Sequence, residues 1–158
     1  MASTINYLQG DATAPKGDGK RIICHVCNDI GGWGRGFVVA LSKRWPGPEA
    51  QYRAWHARGE QGGFALGAIQ VIDVAANLAV ANMIAQHGVS VVGGVPPIRY
   101  EAVGKCLEAL ARHATSHGAS VHMPRIGCGL AGGSWTEVEA LVTSTLCASE
   151  VPVYVYDL

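Results

Sequence analysis

Charge is scarce in this sequence and evenly split: twelve Lys and Arg balance twelve Asp and Glu, for a formal net charge of zero over 158 residues. Polynucleotides are held largely by basic side chains that neutralise phosphates, and a chain without a basic excess lacks that footprint. No direct binding to a nucleic-acid polymer is expected. Long apolar runs are missing as well: no stretch approaches the roughly 20 residues that cross a bilayer. The opening MASTINYLQGD shows no basic segment followed by an apolar one. The expectation is a soluble, cytoplasmic protein with no membrane partner. Five cysteines, an odd number scattered through apolar segments, do not suit a disulfide framework and fit buried, reduced thiols. Low-complexity tracts and internal repeats are absent too, and a monomer is expected.

Hydrophobic residues make up 49% of the chain, enough for a real core, and the length suits one domain over 1–158. Short runs rich in Val and Ile at 5–8, 21–26, 68–74, 78–84, 120–124 and 151–156 read as strands. Between them, 36–44, 49–58, 100–117 and 136–147 carry helical spacing. In the third of these, Tyr100, Val103, Leu107, Leu110, Ala111 and Ala114 form one apolar stripe, with Glu101, Lys105, Glu108 and Arg112 largely off it. The alternation predicts an α/β fold, a mixed central sheet with helices on both faces. The short link between 68–74 and 78–84 also allows these two to pair as an antiparallel hairpin.

The densest local signal is MPRIGCGLAGGSW, where Gly127, Gly129, Gly132 and Gly133 follow a strand and precede a helix. No simple turn needs so many glycines. They permit positive φ and close approach of a ligand to the backbone, and a glycine loop opening a helix offers N–H groups to an anion. Gly127, Gly129 and Gly132 satisfy G-x-G-x-x-G, with Asp157 near the offset of the acidic partner, but a dinucleotide fingerprint belongs to an early βαβ unit. Ser134 and Glu137 read as a capping box that starts the next helix.

The second loop, CHVCNDIGGWGRG, follows the 21–26 strand. Cys24 and Cys27 are three apart and face opposite sides of a strand, so they cannot chelate one ion, and no metal or cofactor is expected. Asn28 and Asp29 stand at the strand end, within reach of a cleft. Trp33 among glycines covers something, as a packing lid or a stacking surface. Asp11 and Gln86 end other strands; His87 is a candidate acid or base. Cys128 near Arg125, in a turn rich in N–H groups, has surroundings that would lower a thiol pKa.

Taken in order, YLQGD, HVCND with GWGRGFVVAL and RWP, NMIAQ, MPRIGCGLAGGSW and the closing VYVYDL resemble a macrodomain, the ADP-ribose-binding α/β fold. Within that fold the sequence is similar to the branch holding the terminal ADP-ribose protein glycohydrolase and the yeast-type ADP-ribose 1''-phosphate phosphatase. More narrowly, it resembles bacterial members that remove ADP-ribose from modified glutamate. The resemblance implies that Asp11 meets the adenine amine, with Tyr156 and Leu158 bordering that ring. It implies that Asn28 and the turn of Gly32, Trp33, Gly34 and Gly36 hold the distal ribose. Arg125, Ile126, Gly127, Cys128, Gly129, Leu130 and Ala131 would wrap the diphosphate. Where the glycohydrolases carry a nucleophilic lysine and an aspartate, this chain has Gln86 and Ala131. A covalent lysine mechanism is therefore not expected; Gln86 would help position water against a ribose fixed by Asn28, with Asp29 as the candidate base. His25 matches a histidine of the phosphatases. The implied partners are ADP-ribose and mono-ADP-ribosylated proteins, and the implied reaction is hydrolysis of an ADP-ribosyl ester on glutamate, with reading without turnover and phosphatase action as alternatives.

Overall fold

The computed structural model describes residues 2–158. Six strands, β1 (Ile5–Gln9), β2 (Arg21–Asn28), β3 (Ile69–Ala75), β4 (Leu78–Gln86), β5 (Ser120–Met123) and β6 (Val153–Asp157), form one sheet in the order β1-β6-β5-β2-β4-β3. All neighbours are parallel except β3, which pairs antiparallel with β4. The hairpin allowed by the sequence is thus formed, and the sheet is mixed. Helices α1 (Phe37–Arg44) and α2 (Gly47–Arg58) cover one face, and α3 (Tyr100–His117) and α4 (Trp135–Val142) the other.

A sheet covered on both sides buries every residue of its central strands, and β4 is buried from Leu78 to Ala85. On β2, Cys24 enters the core under α3 and Cys27 the core under α2, on opposite faces as the spacing dictates. All five cysteines are free thiols. The apolar stripe of α3 packs as expected, with Val103, Leu107, Leu110, Ala111 and Ala114 buried. Its fully buried leucines each contribute roughly 1.5–3 kcal/mol. Among the described residues, no helix is long and apolar enough to cross a membrane.

Three expectations need correction. The last helix does not run from 136 to 147: α4 ends at Val142 and continues as a π turn, Thr143–Cys147, where the Thr145 hydroxyl donates to the Leu141 carbonyl at 2.7 Å. Ser134 is the N-cap of α4, yet no capping box forms. The Ser134 backbone N–H donates to the Tyr100 hydroxyl at 2.9 Å, and its side chain makes no capping bond. Finally β2 and β4 extend past their apolar runs, to Asn28 and Gln86.

That extension shapes the end of the sheet. The β2–β4 register slips by one residue after Cys27, so that Gln86, and not Ala85, stands opposite Asn28. A slip of this kind re-aims side chains at a strand end. Because β2, β4 and β5 are parallel, their carboxyl ends open on one side of the molecule, where ligands of open α/β sheets collect.

Candidate functional site

Two adjoining hollows lie beyond those strand ends. The narrower, about 210 Å³, runs along the glycine loop and is floored by His25, Val26, Phe37 and Val38. The wider, about 390 Å³, lies between the Asn28 turn and the segment carrying Val89 and Ser90. Val26, Arg35, Val38, Gln86 and Leu130 line both, so the two are lobes of one cleft.

The glycine loop is folded tightly on itself. Gly132 donates to the Gly129 carbonyl at 3.0 Å and Gly133 to the Gly127 carbonyl at 2.8 Å. Gly127 has φ 75°, and a Cβ there would stand 2.4 Å from Ile98. The N–H groups of Gly129, Leu130 and Ala131 have no backbone acceptor within the described residues. A row of donors along a cleft can serve an anion without any basic side chain. Arg125, by contrast, is already engaged: it forks onto Asp157 at 2.8 and 3.1 Å and lies over the rings of Tyr7 and Trp135. Its role is to tie the loop to the end of β6. Asp157 is held by the same pair, which lowers its pKa through the Arg125 hydrogen bond.

Cys128 departs from its expectation. Its thiol pKa is raised, because burial outweighs the nearby Arg125 charge. The sulfur donates to the Ile126 carbonyl, and Cys128 does not line either lobe.

On the opposite wall, Asn28 builds the turn it belongs to. Its Oδ1 accepts from the N–H groups of Ile30 and Gly32, while its Nδ2 donates to the Gly32 carbonyl at 2.8 Å. The buried Tyr52 hydroxyl from α2 lies 2.6 Å from the Asn28 carbonyl and 2.9 Å from Oδ1. Asn28 thus lines the wider lobe and also shapes its wall. Trp33 is largely buried, donates Nε1–H to Ser42, meets His25 edge-on with ring centroids 5.4 Å apart, and lines the wider lobe.

Gln86 is placed between the lobes. Its Nε2 donates to the Gly88 carbonyl at 3.1 Å, which leaves Oε1 as an acceptor. Asp29 turns away: its carboxylate accepts from the Gly88 N–H and meets His87 Nδ1 at 2.7 Å, and it lines neither lobe. As a base acting directly on a ligand in this cleft, Asp29 is therefore misplaced, because both its oxygens hold the 87–88 segment. His25 is 2% exposed, and its Nε2–H donates to Asn82 Oδ1 at 2.6 Å. Asn82 in turn donates to the Pro48 carbonyl and to Gln70, which fixes that orientation. Burial brings the His25 pKa down to about 4. It is a neutral packed ring, unsuited to acid–base work.

Asp11, Tyr156 and Leu158 fall outside the two lobes. Asp11 accepts from the Thr13 N–H and hydroxyl, which lower its pKa, and stands 3.6 Å from Arg44. The Tyr156 hydroxyl points inward, between the Lys16 N–H and His122, and Leu158 is fully exposed.

Sequence reasoning singled out none of Arg35, Phe37, Val38, Tyr52, Val89 or Ser90. Arg35 carries the clearest unused signal. A lone cation between two glycines, Gly34 and Gly36, it lines both lobes and has no acidic partner among the described residues.

The profile of the Macro domain matches residues 24–142. Among curated proteins, the chain is 31% identical to the Chromodomain-helicase-DNA-binding protein 1-like of Mus musculus over 98% of its own length, but spans only 18% of that protein. It is 38% identical over 60 residues, 37% of this chain and 40% of the relative, to the ADP-ribose glycohydrolase OARD1 of Homo sapiens. It is 27% identical, over 98% of this chain and 99% of the relative, to an ADP-ribose 1''-phosphate phosphatase of Lodderomyces elongisporus. Among solved structures, a protein of unknown function from Bacteroides thetaiotaomicron is 54% identical, with a TM-score of 0.96 over the whole of both chains. A macrodomain protein from Streptomyces coelicolor is 52% identical, with a TM-score of 0.88 over 98% of this chain and 99% of that one.

Proposed function

The chain belongs to the Macro domain family, and from that premise we propose that it binds ADP-ribose in the two-lobed cleft and hydrolyses the ester joining ADP-ribose to a glutamate side chain of a target protein. The observation that carries this reading is the run of unengaged backbone N–H groups at Gly129, Leu130 and Ala131 along the narrow lobe. These donors suit a diphosphate in a protein of zero net charge. The wider lobe, walled by Asn28, Gly32 and Gly34, is then left for the distal ribose.

No Asp, Glu or Lys lines either lobe among the described residues. The reaction is accordingly carried by positioning and by electrostatic stabilisation. Gln86 Oε1 accepts a hydrogen bond from water, whose oxygen bonds to the anomeric carbon as the ester C–O bond breaks. The carboxylate departs with the bonding electrons, and the water proton passes to solvent or to a phosphate oxygen of the ligand. A carboxylate is a good leaving group, which is why a strong base is dispensable.

The same absence of a carboxylate or a lysine favours one second reading, an ADP-ribose reader without turnover. The phosphatase alternative draws no support from His25, which is buried against Asn82. The deciding experiment incubates the protein with a substrate mono-ADP-ribosylated on glutamate and follows free ADP-ribose. Release establishes the hydrolase; binding in calorimetry without release leaves the reader. Gly129→Val is the appropriate control, since Asn28→Ala would dismantle the turn along with any contact to ligand.

A further inference from the structure

Between β4 and α3 the chain leaves the sheet as a narrow finger with an apolar surface. Val92 and Val95 exchange both backbone hydrogen bonds at 3.0 Å. Gly93 and Gly94 between them have φ of 59° and 78°, the paired left-handed geometry of a tight hairpin turn. The finger is therefore built, yet Val89, Val91, Val92 and Val95 are 53%, 64%, 74% and 53% exposed. Single exposed valines need no explanation, but four on one small projection form a patch that calls for a partner.

The finger is fixed to both walls of the cleft. Its first leg contributes Val89 and Ser90 to the wider lobe. Its second leg runs into Pro96, Pro97 and Ile98, which rest on the glycine loop: the Ile98 N–H donates to the Ala131 carbonyl at 3.1 Å, and Pro96 lies 2.8 Å from where a Cβ of Gly132 would be. A group attached to a ligand and leaving the wider lobe on this side meets the base of the finger at Val89 and Ser90, which line that lobe.

Charge selects the class of that attachment. Arg99 at the base of the finger bonds the carbonyls of Pro96, Pro97 and Ile98. Arg53 bonds Glu49 and the Gly31 carbonyl, and Arg125 bonds Asp157. Only Arg35 at the cleft remains without a protein partner among these. A polynucleotide needs a track of free cations, and this rim offers valines instead.

Resting on the ADP-ribosyl reading above, we propose that the finger of residues 89–95 docks the polypeptide of the modified target, receiving apolar side chains that flank the ADP-ribosylated residue, so that the substrate is a modified protein and not a modified nucleic acid.

The test compares the full chain with a Val91→Ser, Val92→Ser double variant. The probes are a protein mono-ADP-ribosylated on glutamate, free ADP-ribose, and an oligonucleotide carrying a terminal ADP-ribose. On the modified protein, kcat/KM is expected to fall about tenfold, through KM, while the Kd for free ADP-ribose stays within about twofold. If the parent binds without turnover, the same comparison is read in Kd for the modified protein. Unchanged handling of the modified protein overturns the proposal. So does an equal loss of affinity for free ADP-ribose, or processing of the oligonucleotide by the parent as efficient as that of the protein. A parent with no affinity for free ADP-ribose overturns the reading beneath it, and the free-nucleotide titration tells that failure apart.

Discussion

The backbone N–H of Gly133 donates to the Gly127 carbonyl at 2.8 Å, and a Cβ on Gly133 would stand 2.4 Å from that same oxygen. The loop closes on itself only with glycine there, since Ile98 blocks the other way out at 2.8 Å. Gly129 is the opposite case: beyond its two chain neighbours no atom of the described residues lies within 4 Å of its missing Cβ, and its φ needs no glycine. Gly133→Ala is expected to destabilise the fold by about 1–3 kcal/mol. Gly129→Val is expected to leave the thermal midpoint near that of the parent and to weaken ADP-ribose binding about tenfold or more. Melting curves and calorimetry on the two variants check the pair.

Arg35 has no side-chain partner among the described residues and lines both lobes. A hydrogen bond from a charged donor to phosphate is worth about 1.5–3 kcal/mol. Arg35→Gln is accordingly expected to raise the Kd for ADP-ribose by roughly tenfold or more and to flatten its dependence on salt. An unchanged salt dependence would remove Arg35 from the ligand.

Tyr52 reaches the site only through Asn28, whose carbonyl and Oδ1 lie 2.6 and 2.9 Å from its hydroxyl. Tyr52→Phe is expected to cost about 1–2 kcal/mol of stability. It should also loosen the Asn28 turn, raising KM while kcat changes little. A fall in kcat alone would place the hydroxyl in the chemistry instead.

Burial holds His25 neutral, with its pKa brought from 6.5 to about 4. Between those values the unfolded chain binds the proton that the folded chain refuses, so stability falls as pH drops through that window and is level above it. For His25 alone the loss by pH 4 is on the order of 3 kcal/mol. His122, also buried and brought to about 4, acts in the same direction. Urea unfolding at pH 7, 5.5 and 4.5 reads the slope; equal midpoints at all three would show that neither ring is held neutral.

With no acidic side chain or lysine on the cleft walls among the described residues, kcat/KM is expected to be level from about pH 5.5 to 8 after subtraction of spontaneous ester hydrolysis. An inflection within that range would instead show that a titrating group takes part in the reaction.

What the sequence made legible follows the range of the interactions concerned. The α3 stripe, the β3–β4 hairpin and the opposed faces of Cys24 and Cys27 are set by local periodicity and were readable. The glycine loop was readable as a loop, because only a close approach explains so many glycines. The Asn82 partner of His25 lies 57 residues away and Tyr52 lies 24 residues from Asn28; no local pattern announces either. Asp29 looked available for the same reason, since the segment that engages it begins 58 residues later. The valine finger did carry a local sign, Gly93-Gly94 between two valines, the composition of a tight hairpin turn.

The strand order has a consequence for the route by which the chain reaches this shape. β1 sits at the sheet edge with β6 as its sole strand neighbour, Ile5 opposite Val153. During synthesis β1, which precedes the other five strands, has no strand of this sheet to pair with until β6 has emerged, Val153 following Ile5 by 148 residues. Until then β5 keeps an open edge, and the glycine loop lacks the Arg125–Asp157 tie to β6. Docking of β1 is therefore a late event, and a nascent chain halted before β6 presents strand edges to its neighbours.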